Sequence, residues 1–229
     1  MEEYKDTTVI IPTLNEEENI TELLNLITKN YNGIKIIVSD DGSKDKTQEI
    51  VKSQSKKNKN IMILDRSKER IHGLTASVYD AAKKTKTEYV VVIDGDLQHP
   101  PEKIKEIVKE LRKGYNIVVG AREKVFYWPF SRKIISKTAM ILGKARLFIN
   151  GAKCRDILSG FFGIKREKIT NIKQEKFEMY GYKVLFDILK NTERKAKIKN
   201  VYYVFGARKK GHSKIGLKHI ISFAKALFK

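Results

Sequence analysis

Three short clusters in this chain combine side-chain oxygens at a spacing suited to holding a cation and a phosphate. They are Pro12-Thr13-Leu14-Asn15-Glu16, Asp40-Asp41-Gly42-Ser43 and Asp94-Gly95-Asp96-Leu97-Gln98. Two carboxylates one residue apart, with an amide oxygen nearby, supply the hard ligands that Mg²⁺ or Mn²⁺ takes, and such an ion can also engage a diphosphate. Singly, any of these aspartates serves as well in a turn or a helix cap, and Asp45 is expected to cap the helix that follows it. Together they repel one another unless a cation or hydrogen-bond donors compensate them. Three such clusters on one edge of a fold are therefore a chemical signal that no single one provides.

The intervening sequence shows how they could be brought to one edge. Short β-branched runs at residues 8–11, 34–39, 61–64, 89–93 and 116–120 read as strands, separated by helical stretches at 17–29, 46–55, 75–84 and 102–113. Ile20, Leu23, Leu24 and Ile27 form an i, i+3, i+4, i+7 stripe, and Ile104, Ile107, Val108 and Leu111 form another behind Pro100 and Pro101. Residues 90–93 are apolar without alternation, as in a parallel strand covered on both faces. This alternation predicts an α/β fold with a mostly parallel central sheet flanked by helices. The clusters follow the first, second and fourth strands, where ligands of open α/β sheets bind. Later segments read as helix (131–150), strand (160–165), helix (182–190), strand (196–204), loop (206–213) and a last helix (215–229).

Of the 229 residues 41% are hydrophobic and 32% charged, the balance of a folded chain. The longest apolar candidate, residues 134–149, is interrupted by Lys137, Lys144 and Arg146, so no membrane span is expected. The acidic amino terminus does not read as a signal peptide. A single cysteine, Cys154, permits no internal disulfide and is expected to pack, in a reducing setting. Residues 1–120 hold 20 basic and 20 acidic side chains, so the whole net charge of +20 lies in residues 121–229. Such a field attracts anionic lipid, phosphorylated substrates or nucleic acid. A nucleic-acid-binding protein is the alternative from a different class, but it leaves the aspartates at the strand ends without a purpose. A sugar nucleotidyltransferase would want a Gly-rich loop near the amino terminus, and none is present.

The motifs Pro-Thr-Leu-Asn-Glu, Asp-Asp-Gly-Ser and Asp-Gly-Asp-Leu-Gln-His-Pro-Pro-Glu resemble, in order and spacing, those of inverting family 2 glycosyltransferases with the GT-A fold. The third is especially similar to the dolichol-phosphate (polyprenyl-phosphate) mannose synthases. Further matches are His72-Gly73-Leu74-Thr75-Ala76, residues 156–162, Gly181-Tyr182-Lys183, and Arg208 with Gly211-His212-Ser213-Lys214. The resemblance implies a GT-A catalytic domain over residues 1–214. Residues 1–120 would bind the nucleotide sugar and 121–214 the acceptor. It implies that Pro12, Leu14 and Glu16 line the base and ribose pocket, with Asp40 or Asp41 reading the base; Leu14 stands where many relatives carry an aromatic residue. Asp94, Gly95, Asp96 and Gln98 would face the diphosphate, with Asp94, Asp96 and Gln98 as ligands of Mg²⁺ or Mn²⁺. Arg122, Lys183 and Arg208 would gather around phosphates, and Arg132, Arg208 and Lys214 around the acceptor phosphate. Asp96, Asp156 and Arg208 would lie nearest the chemistry. The implied donor is GDP-mannose, ahead of UDP-glucose and UDP-N-acetylglucosamine. The implied acceptor is a dolichyl or polyprenyl phosphate, and no nucleic acid is expected as a partner.

The residues agree with such an acceptor. A phosphate nucleophile, with a second pKa near ~6, is already ionised at neutral pH and needs cations more than a base. A hydroxyl acceptor would call for a carboxylate base, and Asp156 is the one obvious candidate. In the last helix Leu217, Ile220, Ile221, Phe223, Ala224, Leu227 and Phe228 share a broad face, with Lys214, Lys218, Lys225 and Lys229 beside it. This amphipathic pattern suits either an interfacial helix on anionic lipid or one packed on its own domain or a partner. Relatives often carry transmembrane segments after the catalytic domain, so a membrane-anchoring subunit is among the implied partners. The expected location is peripheral, on the cytoplasmic face of a membrane.

Overall fold

In a computed structural model, residues 3–125, 130–148, 154–193, 195–207 and 217–229 are described, the side chains of 130–132 and 217–219 excepted. The strands are β1 (Thr7–Thr13), β2 (Lys35–Asp40), β3 (Ile61–Asp65), β4 (Tyr89–Val92), β5 (Ile117–Val125), β6 (Phe162–Lys165) and β7 (Ile198–Phe205). The helices are α1 (Ile20–Asn30), α2 (Thr47–Lys57), α3 (Leu74–Lys84), α4 (Ile104–Arg112), α5 (Phe130–Phe148), α6 (Glu167–Thr170), α7 (Val184–Lys190) and α8 (Leu217–Phe228). The described strands form one sheet in the order β3-β2-β1-β4-β6-β5-β7. Only β6 runs antiparallel, against β4 on one side and β5 on the other.

Side chains alternate between the two faces of each strand, so the sheet carries a core on both sides. Val9, Ile11, Ile36, Val38, Val91 and Val118 point toward α1 and α4, whose stripes Ile20-Leu23-Leu24-Ile27 and Ile104-Ile107-Val108-Leu111 are fully buried. Ile10, Ile37, Val90, Val92, Val119 and Phe162 point the other way, toward α3, α7 and α8. The turn into α4 starts at Pro101, where a missing amide hydrogen costs nothing. Asp45 accepts the Thr47 amide at 3.0 Å as α2 begins. Its other oxygen accepts the Glu17 amide at 3.0 Å, so it also ties the β1 loop to α2.

The last helix divides its apolar face between the core and the surface. Phe223 and Ala226 are buried, with the Phe223 ring 5.2 Å from Phe186 of α7, whereas Ile220, Ile221 and Phe228 face outward. Arg146 Nε of α5 donates to the Leu227 carbonyl at 3.2 Å, and Lys190 Nζ donates to that of Ala226 at 2.5 Å. These cations satisfy carbonyls that the end of α8 would otherwise leave open. A Cβ on Gly143 would come within 2.5 Å of Ile157 and 3.2 Å of Phe186, so the bare glycine lets α5 close on the core.

Candidate active site

The strand order explains why the clusters meet. β1 lies between β2 and β4, all three parallel, so Thr13–Glu16, Asp40–Ser43 and Asp94–Gln98 leave neighbouring strands at one edge. Because β6 is reversed, the segment entering it, Asp156–Phe161, arrives at that same edge, as do the carboxyl ends of β5 and β7.

The first two clusters are laced together by local hydrogen bonds. Asn15, at φ 53°, donates its amide to Ser43 Oγ at 2.8 Å and accepts the Lys44 amide at 2.7 Å. Asn is among the few side chains that tolerate that backbone region. Asp40 is fully buried. One of its oxygens accepts the Gly42 and Ser43 amides and Gln48, and the other accepts the Thr13 and Ser43 hydroxyls. With that acceptor capacity used, Asp40 builds the turn. Asp41 beside it pairs with Arg66, and accepts from His72 at 3.1 Å and from the Gly73 amide at 2.7 Å. Burial pushes the Asp41 carboxyl above its usual range, although Arg66 and His72 pull it back. Arg66, only 2% exposed, also binds Asp80, Ser77 and the Ile71 carbonyl. No motif in the sequence marks Arg66. Pro12 and Glu16 are half-buried at the mouth, and Leu14 is 40% exposed. Gly95 is buried against Glu16, whose Cγ would lie 3.4 Å from an added Cβ.

Around the third cluster, Asp96 is buried and accepts the Gln98 amide at 3.1 Å, across Leu97 at φ 60°. A non-glycine residue in that region stores roughly 1–3 kcal/mol of strain, which must be met by the contacts on either side. Gln98 provides them: its side-chain amide donates to the Gly206 carbonyl and its own carbonyl accepts the Gly206 amide, both at 3.0 Å. Asp94 Oδ2 faces His99 Nε2 at 3.0 Å, while Oδ1 is buried with no hydrogen-bond partner among the described residues. Burial pushes the Asp94 carboxyl up, but His99, Lys183 and Arg122 outweigh it and leave it below the usual range. Gly160 packs against this carboxylate so tightly that a Cβ there would sit 2.6 Å from Oδ2.

Arg122 and Asp156 form a buried two-pronged pair, Nε to Oδ2 at 2.6 Å and Nη2 to Oδ1 at 2.8 Å. Burial pushes the Asp156 carboxyl up, and Arg122 more than reverses this, holding it below the usual range. Lys183 Nζ donates to the Leu158 carbonyl at 2.9 Å, near enough to both Asp94 and Asp156 to lower their pKa values. Cys154 is buried and its thiol is pushed up to about 12, in keeping with packing. Arg208 and Lys214 lie outside the described residues, as does the side chain of Arg132.

A family model described as glycosyl transferase family 2 matches residues 8–172. The chain is 36% identical to the dolichol-phosphate mannosyltransferase of Pyrococcus furiosus, over 96% of this chain and 62% of that protein. It is 28% identical to the dolichol-phosphate mannosyltransferase of Saccharomyces cerevisiae, over 96% of this chain and 84% of that protein. The chain thus spans about three fifths of the length of the Pyrococcus relative. Among solved structures, glucosyl-3-phosphoglycerate synthase from Mycobacterium tuberculosis, in complex with Mn²⁺, UDP-glucose and phosphoglyceric acid, superposes with a TM-score of 0.70. That match is 21% identical and covers 97% of this chain and 77% of the other. The family model spans all three clusters and the strands that carry them to one edge, and the chain belongs to glycosyl transferase family 2, with the GT-A fold.

Proposed function

We propose that the chain transfers mannose from GDP-mannose to a dolichyl or other polyprenyl phosphate, with inversion at the sugar carbon. The observation that carries the acceptor is the pairing of Asp156, the carboxylate that the sequence offers as a base for a hydroxyl. Arg122 occupies both its oxygens and holds its proton affinity low. A phosphate acceptor has no need of that base. The names of the Pyrococcus and Saccharomyces relatives support the same acceptor and sugar. In this reading the acceptor phosphate oxygen attacks the anomeric carbon as the bond to the nucleoside diphosphate breaks. Pro12, Leu14, Glu16 and Asp41 line the nucleoside side, and Asp40 supports them through its turn. Arg122 and Lys183 set the field around the departing phosphates, while Arg132, Arg208 and Lys214 serve the acceptor phosphate. Residues 1–120 are then the donor half and 121–214 the acceptor half.

The residues fit a divalent cation. Asp94 Oδ1 is a buried acceptor with no donor among the described residues, packed against a glycine at position 160 where any side chain would collide with the carboxylate. Among the described residues no group of three or more His, Cys, Asp or Glu forms a ready-made cage. That matches an ion held by one or two carboxylates and completed by the donor's own phosphates. Asp94 and Asp96 would hold Mg²⁺ or Mn²⁺, with Gln98 beside them. When bound, the ion offsets the negative charge that develops on the leaving diphosphate. The test is transfer of radiolabelled sugar to a short, detergent-soluble polyprenyl phosphate from GDP-mannose, UDP-glucose and UDP-N-acetylglucosamine. Labelled lipid is expected from GDP-mannose, and none when polyprenol replaces its phosphate. Absence of lipid product with all three donors would sink this acceptor assignment.

The same proposal places the acceptor half on a membrane. No described helix is long and apolar enough to cross one. However, α5 presents Ile134, Ile135, Ile141, Leu142 and Phe148 outward, and α8 presents Ile220, Ile221 and Phe228. Exposed Lys133, Lys137, Lys144 and Lys225 lie on the same two helices. Lysines near an anionic surface each contribute about 1 kcal/mol, added to the burial of apolar side chains. Ile141→Glu with Ile220→Glu is expected to lower co-sedimentation with phosphatidylserine vesicles at least tenfold, while transfer in detergent stays within twofold. Unchanged vesicle binding would assign these faces to a protein partner instead.

A further inference from the structure

His99 follows the third cluster by one residue and is almost completely buried, 2% exposed, among the rings of Phe161, Tyr203 and Phe205 at 5.1–5.6 Å between centroids. An imidazole in an aromatic cage is costly unless both nitrogens are satisfied. Both are: Nδ1 lies 2.6 Å from the Tyr203 hydroxyl on β7, and Nε2 lies 3.0 Å from Asp94 Oδ2. The Asp94 carboxylate can only accept, so the ring hydrogen on Nε2 donates to Oδ2. In the neutral imidazole that tautomer leaves Nδ1 to accept from the Tyr203 hydroxyl.

The consequence falls on the other oxygen of Asp94. With Oδ2 tied to His99 and the Gly160 backbone packed against the carboxylate, the group is held in one orientation and Oδ1 has no hydrogen-bond partner among the described residues. We propose that His99 and Tyr203 are positioning residues of the donor site, a two-member relay from β7 that fixes the Asp94 carboxylate so that Oδ1 is the atom offered to the cation of the nucleotide diphosphate. This rests on the reading of Asp94 as a cation ligand. A packing role alone would be filled as well by an apolar ring. It would not require an Nε2–H donor aimed at a carboxylate whose second oxygen is buried with no hydrogen-bond partner among the described residues.

The experiment measures Mn²⁺ affinity in the presence of GDP by electron paramagnetic resonance of the free ion, using the full chain. Partners behind a metal ligand are typically worth about 10- to 100-fold in metal affinity, so His99→Leu should weaken Mn²⁺ binding by that much. His99→Gln, whose amide can still donate to Oδ2, should recover most of it. Tyr203→Phe removes one oxygen from a buried ring and should weaken binding about fivefold, one step further from the ion. Asp94→Asn is the control. If wild type binds Mn²⁺ with GDP, Asp94→Asn does not, and His99→Leu and Tyr203→Phe both match wild type, the relay is overturned and the cation site stands. If wild type fails to bind Mn²⁺ with GDP, the cation reading falls and the relay falls with it. Should His99→Leu lose its native near-ultraviolet dichroism, Tyr203→Phe decides alone.

Discussion

Asp96→Asn is expected to reduce sugar transfer by about 10³-fold, the scale of losing one main electrostatic contact to a developing charge. Asparagine suits the test because Asp96 also accepts the Gln98 amide across the strained Leu97. An amide oxygen can keep that bond, so the turn survives and only the charge is lost. Asp96→Ala would remove both, and the two causes would be confounded. The melting temperature should hold, because the asparagine oxygen keeps the Gln98 amide satisfied. Donor affinity should fall in Mn²⁺ and match wild type in chelator. Normal transfer by Asp96→Asn, or by wild type in excess chelator, would remove Asp96 and the cation from the reaction.

What was legible in the sequence is what local rules control. The stripes of α1 and α4 are buried as periodicity requires, and the clusters sit where three strand-like runs end. The antiparallel direction of β6 was not legible, since a short apolar run carries no sign of its direction. Yet that reversal is what brings Asp156 and Gly160 beside Asp94. Nor did spacing separate Asp40 from Asp41. Adjacent aspartates look alike until one is seen closing a turn and the other facing a buried Arg66. The Arg122–Asp156 pair, 34 residues apart in sequence, and the His99–Tyr203 contact, 104 apart, exist only through tertiary packing. The apolar face of α8 was legible as a whole but not its division. Phe223 and Ala226 close the core while Ile220 and Ile221 look outward, so deleting the helix would strip core contacts together with the outer face and confound the two. Point substitutions on the outer face are the sounder probe.

Arg122→Ala carries the largest expected cost in stability. The guanidinium is 11% exposed and the Asp156 carboxylate 6%, so removing the arginine strands a charge away from water. Breaking such a pair costs about 3–5 kcal/mol, or roughly 10 °C for a chain of this size. The pH dependence has a definite sign. In the wild type Arg122 holds the folded pKa of Asp156 below its unfolded value, so the pair contributes above that unfolded value and the contribution is lost as pH falls through the folded one. In Arg122→Ala burial acts with much less opposition, and the folded pKa rises above the unfolded one. The penalty is then greatest at neutral pH and shrinks as acid protonates the carboxyl. The gap in melting temperature between wild type and variant should therefore narrow from pH 7 to pH 5, and a gap that widens would contradict this account. Asp156→Asn separates stability from chemistry. Were Asp156 a general base, its amide would lose about 10²–10⁴-fold in rate. With a phosphate nucleophile already ionised, the Asp156→Asn turnover should stay within tenfold of wild type once the melting temperature exceeds the assay temperature. A collapse of turnover in that folded variant would return Asp156 to the role of base and the acceptor to a hydroxyl.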